Sequence, residues 1–301
     1  MLQIRFHLDG ESRIGGAGNV ALNLVSLGAQ VSMHGVTGTD EDGLLLELMM
    51  KDKGINTDGL WKSPDRMTTN KIRIISRSQQ MMRLDREITI DLEADAAERF
   101  IHKTTDLFAL QQPDIVIFED YNKGVLTAAV IRSLIAWCRQ HGVLTSVDPK
   151  RKNFFEYTGV DIFKPNLKEA REALGFLDSK PTLENLKTIH NLLHAKLGHH
   201  LSFITLSEAG VFYQHGTEAV HLPAFVRNIA DVSGAGDTVI AVASLVYAAT
   251  RDARLMATVA NLAGGMVCED VGTVAIDANR LLNECLQLLT DEAGSGGHTD
   301  G

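Results

Sequence analysis

Asp231-Val232-Ser233-Gly234-Ala235-Gly236-Asp237 runs straight into an apolar stretch, Thr238 to about Ala249, of helical character. This junction places Gly234 to Asp237 at the start of a helix. There the first backbone N–H groups have no intrahelical partner, and the helix dipole is positive. Such a turn can hold a phosphoryl group. With no side chain at Gly234 or Gly236, an anion can come close to the backbone. Asp237 adds a carboxylate beside that position, where a general base for a substrate hydroxyl is wanted. Gly234, Ala235, Gly236 and Asp237 are therefore the candidate catalytic group. The plain alternative is a helix start capped by Asp231, Ser233 or Asp237, with glycines that only turn the chain.

Around this stretch, 301 residues give room for one large α/β unit with a small appendage. A net charge of −9 argues against a nucleic-acid partner, so an anionic substrate needs local cations. Cys138, Cys268 and Cys285 fit neither a metal site nor a disulfide framework, and the expected setting is a reducing cytoplasm. No apolar run reaches the roughly 20 residues of a membrane span. Met1 to His7 alternates like a strand and lacks the shape of a signal peptide, so no membrane partner is expected.

From Ala94 onward, helical and strand periods alternate, with strands at Ile115 to Phe118, Val143 to Val147, Val160 to Phe163 and Leu201 to Leu206. The pattern predicts an α/β fold, a mostly parallel sheet flanked by helices. Ligands of such sheets bind beyond the strands' carboxyl ends. Polar clusters follow these strands at 120–123, 148–152, 164–169 and 207–210, which predicts one shared site. Trp61, Met67 to Ser76 and Gln80 to Leu84, around the turn Arg77-Ser78-Gln79, predict a small β lid. The expected organisation is a single domain over 1–290, with lid strands at about 4–14 and 60–86 and a flexible tail at 291–301.

Gly16-Ala17-Gly18-Asn19-Val20-Ala21 matches a dinucleotide fingerprint, with Asp40 about 20 residues on. A polar turn at Asp9 to Arg13 stands where that fingerprint needs its strand, so a dinucleotide oxidoreductase is the weaker reading. With Gly15 included, Gly15-Gly16-Ala17-Gly18-Asn19 resembles the first signature of the ribokinase-like, PfkB-type sugar kinases. Asp231 to Asp237 resembles their second, and the two stand in the family's order near opposite ends of the chain. The resemblance implies a ribokinase-like fold with a β lid, ATP and Mg²⁺, and a sugar held by Gly15, Gly16 and Asn19. Lys164-Pro165-Asn166-Leu167-Lys168-Glu169 resembles the family's N-x-x-E element, which places Lys164 and Asn166 near the nucleotide and Glu169 at Mg²⁺ and its water. An amide and a carboxylate at i, i+3 face the same way on a helix. An ordinary capped helix with a solvated Glu is the alternative there. Ser207 and Gly210, in Thr205 to Gly210, and Asn261 and Gly264 look like residues flanking the family's nucleotide.

Arg77 to Asp85, Glu119-Asp120-Tyr121-Asn122-Lys123-Gly124 and Asp148-Pro149-Lys150 together resemble the heptose-7-phosphate kinases of lipopolysaccharide-core synthesis. A sugar that already carries a phosphate needs cations, and Arg suits bidentate phosphate contacts. Arg77, Gln79, Arg83, Asp120, Asn122 and Lys123 are the further candidate substrate contacts. Solvated lid charges are the alternative. The resemblance also implies a monovalent cation near Asp231 and Ser233, and a homodimer through the lid. Family members begin with a buried strand ahead of the segment that Leu2 to Phe6 resembles, and the expectation is a chain lacking it. Some relatives carry a nucleotidyltransferase domain after the kinase; here a kinase alone is expected. Kinases for ribose, fructose or a keto-deoxy acid share the catalytic residues, and a non-catalytic sugar-phosphate binder is a third reading.

Overall fold

The computed structural model describes residues 11–76, 79–176 and 180–295. Helix α1 (Ala17–Ser26) leads to β1 (Ser32–Gly38). Asp40 caps α2 (Glu41–Asp52) by accepting the Gly43 N–H, and β2 (Asn56–Ser63) returns parallel to β1. An antiparallel hairpin follows, β3 (Asn70–Ser76) and β4 (Gln79–Arg86). After α3 (Ala94–Gln111) come β5 (Ile115–Glu119), α4 (Ala128–His141), β6 (Leu144–Asp148) and β7 (Ile162–Phe163). Helices α5 (Leu167–Leu174) and α6 (Leu183–Leu197) precede β8 (Leu201–Thr205). The chain then makes β9 (Val211–His215), β10 (Glu218–Leu222), α7 (Ala235–Thr250), α8 (Ala253–Val267) and α9 (Ala278–Ser295).

Six strands form one sheet in the order β10-β9-β8-β7-β6-β5. β5 to β8 are parallel, and β9 and β10 are added antiparallel. Side-chain alternation feeds two cores: Leu201 and Phe203 of β8 join Val242 of α7 and Met256 of α8, whereas Ile204 joins Ile131 of α4 and Leu186 of α6. β6 is buried along its whole length, as a parallel strand covered on both faces must be.

The predicted architecture holds, with three changes. Among the described residues the parallel strands do not form one sheet: β1 and β2 pair with each other, and no strand joins β1 to β5. Trp61 lies opposite Val36 of β1, so among the described residues the strands expected for the lid are the β3–β4 hairpin; residues 11–15 are not strand, and 4–10 lie outside the described residues. The tail expected from residue 291 is helical through Ser295, because Leu281, Cys285 and Leu288 anchor α9 on the core beneath α8.

One buried polar group makes the fold sensitive to acid. His190 and His199 both contact the Ser202 hydroxyl, at 2.8 and 2.6 Å. Burial holds His190 down at about 4 and His199 at about 3. Both stay neutral in the folded chain, while the unfolded chain takes up protons once pH falls below about 6.5. Thermal stability is therefore expected to be level above pH 7 and to fall as pH drops from about 6.5 to about 4. Calorimetric scans across that window check this, and a His199→Asn variant should show a shallower fall; a level midpoint would contradict it.

Candidate active site

Three segments remote in sequence meet at the start of α7. Gly234 takes φ 83°, a left-handed conformation natural to glycine, and no side chain caps the helix it opens. The capping alternative is thereby excluded. Asp231 instead accepts the Ser233 and Gly272 N–H groups, which shapes the preceding loop. The Ala235 N–H reaches Val232 O at 3.3 Å.

Asp237, on that first turn, accepts two hydrogen bonds. Asn19 donates Nδ2 to Oδ2 at 2.9 Å, and the Tyr121 hydroxyl donates to Oδ1 at 2.9 Å. Asn19 is 1% exposed, and its Oδ1 is buried without a partner among the described residues. Its position is fixed through Asn23, one turn further along α1. Asn23 donates to Asn19 O, and its own Oδ1 accepts from the Thr238 hydroxyl and the Ile276 N–H. Gly16, at φ 59°, lies so close to Tyr121 that a Cβ there would sit 3.5 Å from its ring. Gly15 is exposed, with open space around it.

Burial raises Asp237 above the ordinary carboxylate range, while the Asn19 and Tyr121 hydrogen bonds pull the other way. Replacing Tyr121 by Phe removes one donor to the charged form, a contact worth about 1.5–3 kcal/mol. The Asp237 ionisation should then move up by about one pH unit or more. NMR titration of its labelled carboxyl carbon reads this directly, and an unmoved titration would mean Tyr121 does not hold the carboxylate.

A row of charges continues along the strand ends. Lys164, 2% exposed, pairs with Asp148 at 2.9 Å. Lys150 Nζ lies 3.3 Å from Asp148 and 2.6 Å from Glu169. Burial works against the Lys150 charge, yet Asp148 and Glu169 together push its pKa up. Glu119, at the end of β5, is raised well above the carboxylate range by burial first and by Asp148 next. The N-x-x-E element forms a full capping box: Asn166 Oδ1 accepts the Glu169 N–H at 2.8 Å and Glu169 Oε2 accepts the Asn166 N–H at 2.9 Å. Asn166 thus caps its helix, and Glu169 is paired with Lys150 in addition.

Asp120 is 3% exposed, and it accepts from Tyr157 and from the Asn122 N–H, which shapes the loop. Asn122 Oδ1 is buried without a partner. Lys123 pairs with Glu87 at 2.6 Å, and Arg83 with Asp85 at 3.0 Å. Arg77 lies outside the described residues, as does the Gln79 side chain. Ser207 and Gly210 form the turn after β8; a Cβ on Gly210 would stand 2.1 Å from Leu222 O, so hairpin packing requires this glycine. Asn261 donates to Pro223 O, and Gly264 lets α8 approach Val239 of α7. Tyr121, Glu119, Asp148 and Lys150 join the site although sequence reasoning does not single them out individually. Their signals are the stretches 119–124 and 148–150 that carry the resemblance, and their position at or just beyond the ends of β5 and β6.

The family model for the pfkB family of carbohydrate kinases matches residues 9–279. The chain is 38% identical over 275 residues to the bifunctional protein HldE of Syntrophotalea carbinolica, covering 89% of this chain and 54% of that protein. It is 36% identical over 270 residues to HldE of Geobacter sulfurreducens, covering 88% and 54%. The chain thus spans about half the length of the curated relatives it matches. Among solved structures it superposes on phosphofructokinase-2 of Escherichia coli in complex with potassium, with TM-score 0.75, 14% identity, and 93% and 91% of the two chains covered. Ribokinase of Thermotoga maritima gives TM-score 0.67 at 17% identity over 89% and 87%. At such identities these two show the fold.

Proposed function

The chain belongs to the pfkB family of carbohydrate kinases, and on that premise we propose that it transfers the γ-phosphoryl group of ATP to a sugar hydroxyl, O1 of D-glycero-β-D-manno-heptose 7-phosphate being the acceptor. The observation that carries this reading is Asp237 on the uncapped first turn of α7, held by Asn19 and Tyr121. A sugar over Gly15 and Gly16 presents its hydroxyl to Asp237, which takes the proton as the oxygen attacks phosphorus. Burial makes Asp237 more basic than an exposed Asp, which suits that task. The first-turn N–H groups of α7 face the charge on the transferring group, and the site works by positioning and electrostatics.

Lys150 and Lys164 supply positive charge beside the phosphates of ATP. The donors available for Mg²⁺ are oxygens only, the kind that ion takes, and it commonly keeps several of its waters. Glu169 and Asp148 fit on that count; both already pair with Lys150, so they would meet the ion through water. When bound, Mg²⁺ neutralises phosphate charge. A monovalent cation beside the Asp231 loop belongs to the same proposal, supported by the potassium complex of the Escherichia coli fold relative.

The heptose assignment rests on the resemblance of residues 77–85, 119–124 and 148–150, alongside relatives named HldE. The 7-phosphate would draw Arg83 and Lys123 from Asp85 and Glu87, with Arg77 and Gln79 completing its contacts. ATP consumption against a panel of sugars and sugar phosphates tests it. Selective turnover of heptose 7-phosphate is expected; preference for ribose, fructose or a keto-deoxy acid would keep the chemistry and discard the acceptor. Binding without turnover would favour a sugar-phosphate sensor.

A homodimer through the lid is part of this reading. Ile72 pairs across the hairpin with Leu84, and Ile74 with Met82, so these four share one face. All four are exposed, Met82 to 52%. A second copy would cover them, and light scattering should give twice the chain mass; Ile74→Lys should return it to one. No helix of the described residues is long and apolar enough to cross a membrane. A cytoplasmic site of action is proposed with the ATP chemistry.

A further inference from the structure

Segment 64–69 leads into the β3–β4 hairpin and segment 87–93 leads out of it, and both are fastened to the body of the molecule. Asp40, beyond capping α2, accepts the Thr68 N–H at 2.9 Å, and the Thr68 hydroxyl accepts the Gly38 N–H at 2.9 Å. Arg66 therefore extends from a fixed stretch of backbone. Its Nη2 donates to Lys123 O at 2.7 Å and to Ile90 O at 3.0 Å, so one nitrogen with two hydrogens joins two carbonyls remote in sequence. A charged donor makes each bond stronger than a neutral one would.

The loop that Arg66 grips is the one that carries Tyr121. The Leu92 N–H donates to Gly124 O at 2.8 Å. Gly124, at φ 76°, lies so close to Ile90 that a Cβ there would stand 1.9 Å from the Ile90 carbonyl oxygen. Arg66 closes this contact from the side by holding Ile90 O and Lys123 O together. Two residues before Lys123, the Tyr121 hydroxyl donates to Asp237. Tyr121 is 37% exposed, so packing alone does not aim that hydroxyl, and the backbone of the loop must. Asn122, between the two, takes φ 53°, a left-handed conformation that persists where the surroundings hold it.

We propose that Arg66 is a positioning residue of the active site: by joining Ile90 O to Lys123 O it fixes the 120–124 loop so that the Tyr121 hydroxyl meets Asp237. Arg66 acts through Tyr121 and not on the carboxylate directly. The seating of the hairpin's base is thereby transmitted to Asp237. The catalytic meaning of this hold rests on the kinase reading, whereas the hold itself does not. The charges that face Asp237 are Glu119, Asp148 and Lys164, at or just past strand ends, and Arg66 bonds none of them among the described residues.

NMR titration of the labelled Asp237 carboxyl carbon in the full chain, without ATP or sugar, tests this independently of phosphoryl transfer. Arg66→Met should raise the Asp237 ionisation by about half a pH unit or more, toward the shift of Tyr121→Phe, because a donor to the charged form is lost. In a Tyr121→Phe background the same substitution should add no more than about 0.3 pH unit. That comparison separates the hold from simple charge. Loss of a nearby cation would raise Asp237 equally with or without the Tyr121 hydroxyl. Gly124→Ala, which changes no charge, should raise Asp237 as Arg66→Met does, and Arg66→Lys should restore part of the parent value. These two variants carry the test if Arg66→Met does not fold. Lys103→Met removes a similar bond, to Leu60 O, away from this loop and should leave Asp237 unmoved. An unmoved titration in folded Arg66→Met or Gly124→Ala would overturn the proposal. So would an undiminished shift in the Tyr121→Phe background, or an equal shift in Lys103→Met.

Discussion

Asp237→Asn is expected to lower kcat by about 10²- to 10⁴-fold, the range for loss of a positioned general base, while ATP binding is retained. The substitution keeps the shape of the side chain and removes its capacity to take the hydroxyl proton. Stability should move the other way. Burial raises Asp237 above its unfolded value, so the folded state holds a proton more readily than the unfolded one. Ionised Asp237 therefore costs stability, and the cost is in full force at pH values above its folded pKa. The neutral amide escapes it, and the Asp237→Asn variant should melt no lower than the parent at pH 7. Loss of activity with unchanged or raised Tm is the signature of a residue kept for chemistry. A fall in both would mean that Asp237 mainly supports the fold. The parent's kcat/KM should also fall on its acid side at a pH above the ordinary Asp range, because only ionised Asp237 can accept the proton.

Lys164→Met should be the most destabilising of the charge-row substitutions. Lys164 is 2% exposed and sits 2.9 Å from Asp148. Removing one partner of a buried pair leaves the other charge in a poorly solvated place, at a cost of about 3–5 kcal/mol. Lys150 remains beside Asp148 at 3.3 Å but is shared with Glu169, so it offsets only part of the loss. Adding Asp148→Asn to Lys164→Met should restore some of the stability, since the stranded charge is then gone. Denaturant melts of the two variants check both points. A loss below about 1 kcal/mol for Lys164→Met would place this pair among weak surface contacts.

The sequence carried its message in some places and not in others, for physical reasons. Alternating helical and strand periods made the parallel sheet legible, because parallel strands buried on both faces read as continuous apolar runs. The Gly234 turn was legible because small residues running into an apolar stretch mark the start of a helix. Asn19 could be placed at the site, but its bond to Asp237 depends on two helices meeting, which local pattern does not encode. Glycine was the most ambiguous letter. Gly16 and Gly234 take left-handed conformations at the pocket, while Gly210 and Gly264 satisfy packing elsewhere, and all four look alike in the chain. Asp120 could be placed after a strand, but its bond to Tyr157 depends on a residue remote in sequence. The pairing of β1 with β2, apart from β5, needed the assembled structure to be seen.

The most direct test of the central claim is a ³¹P NMR time course of the purified full chain with ATP, Mg²⁺ and heptose 7-phosphate. The expected result is loss of the γ-phosphate resonance matched by a new sugar-phosphate resonance at the anomeric position, with no comparable rise in inorganic phosphate. An ATP spectrum that stays unchanged, or that decays only to inorganic phosphate, would contradict transfer to the sugar at the Asp237 turn.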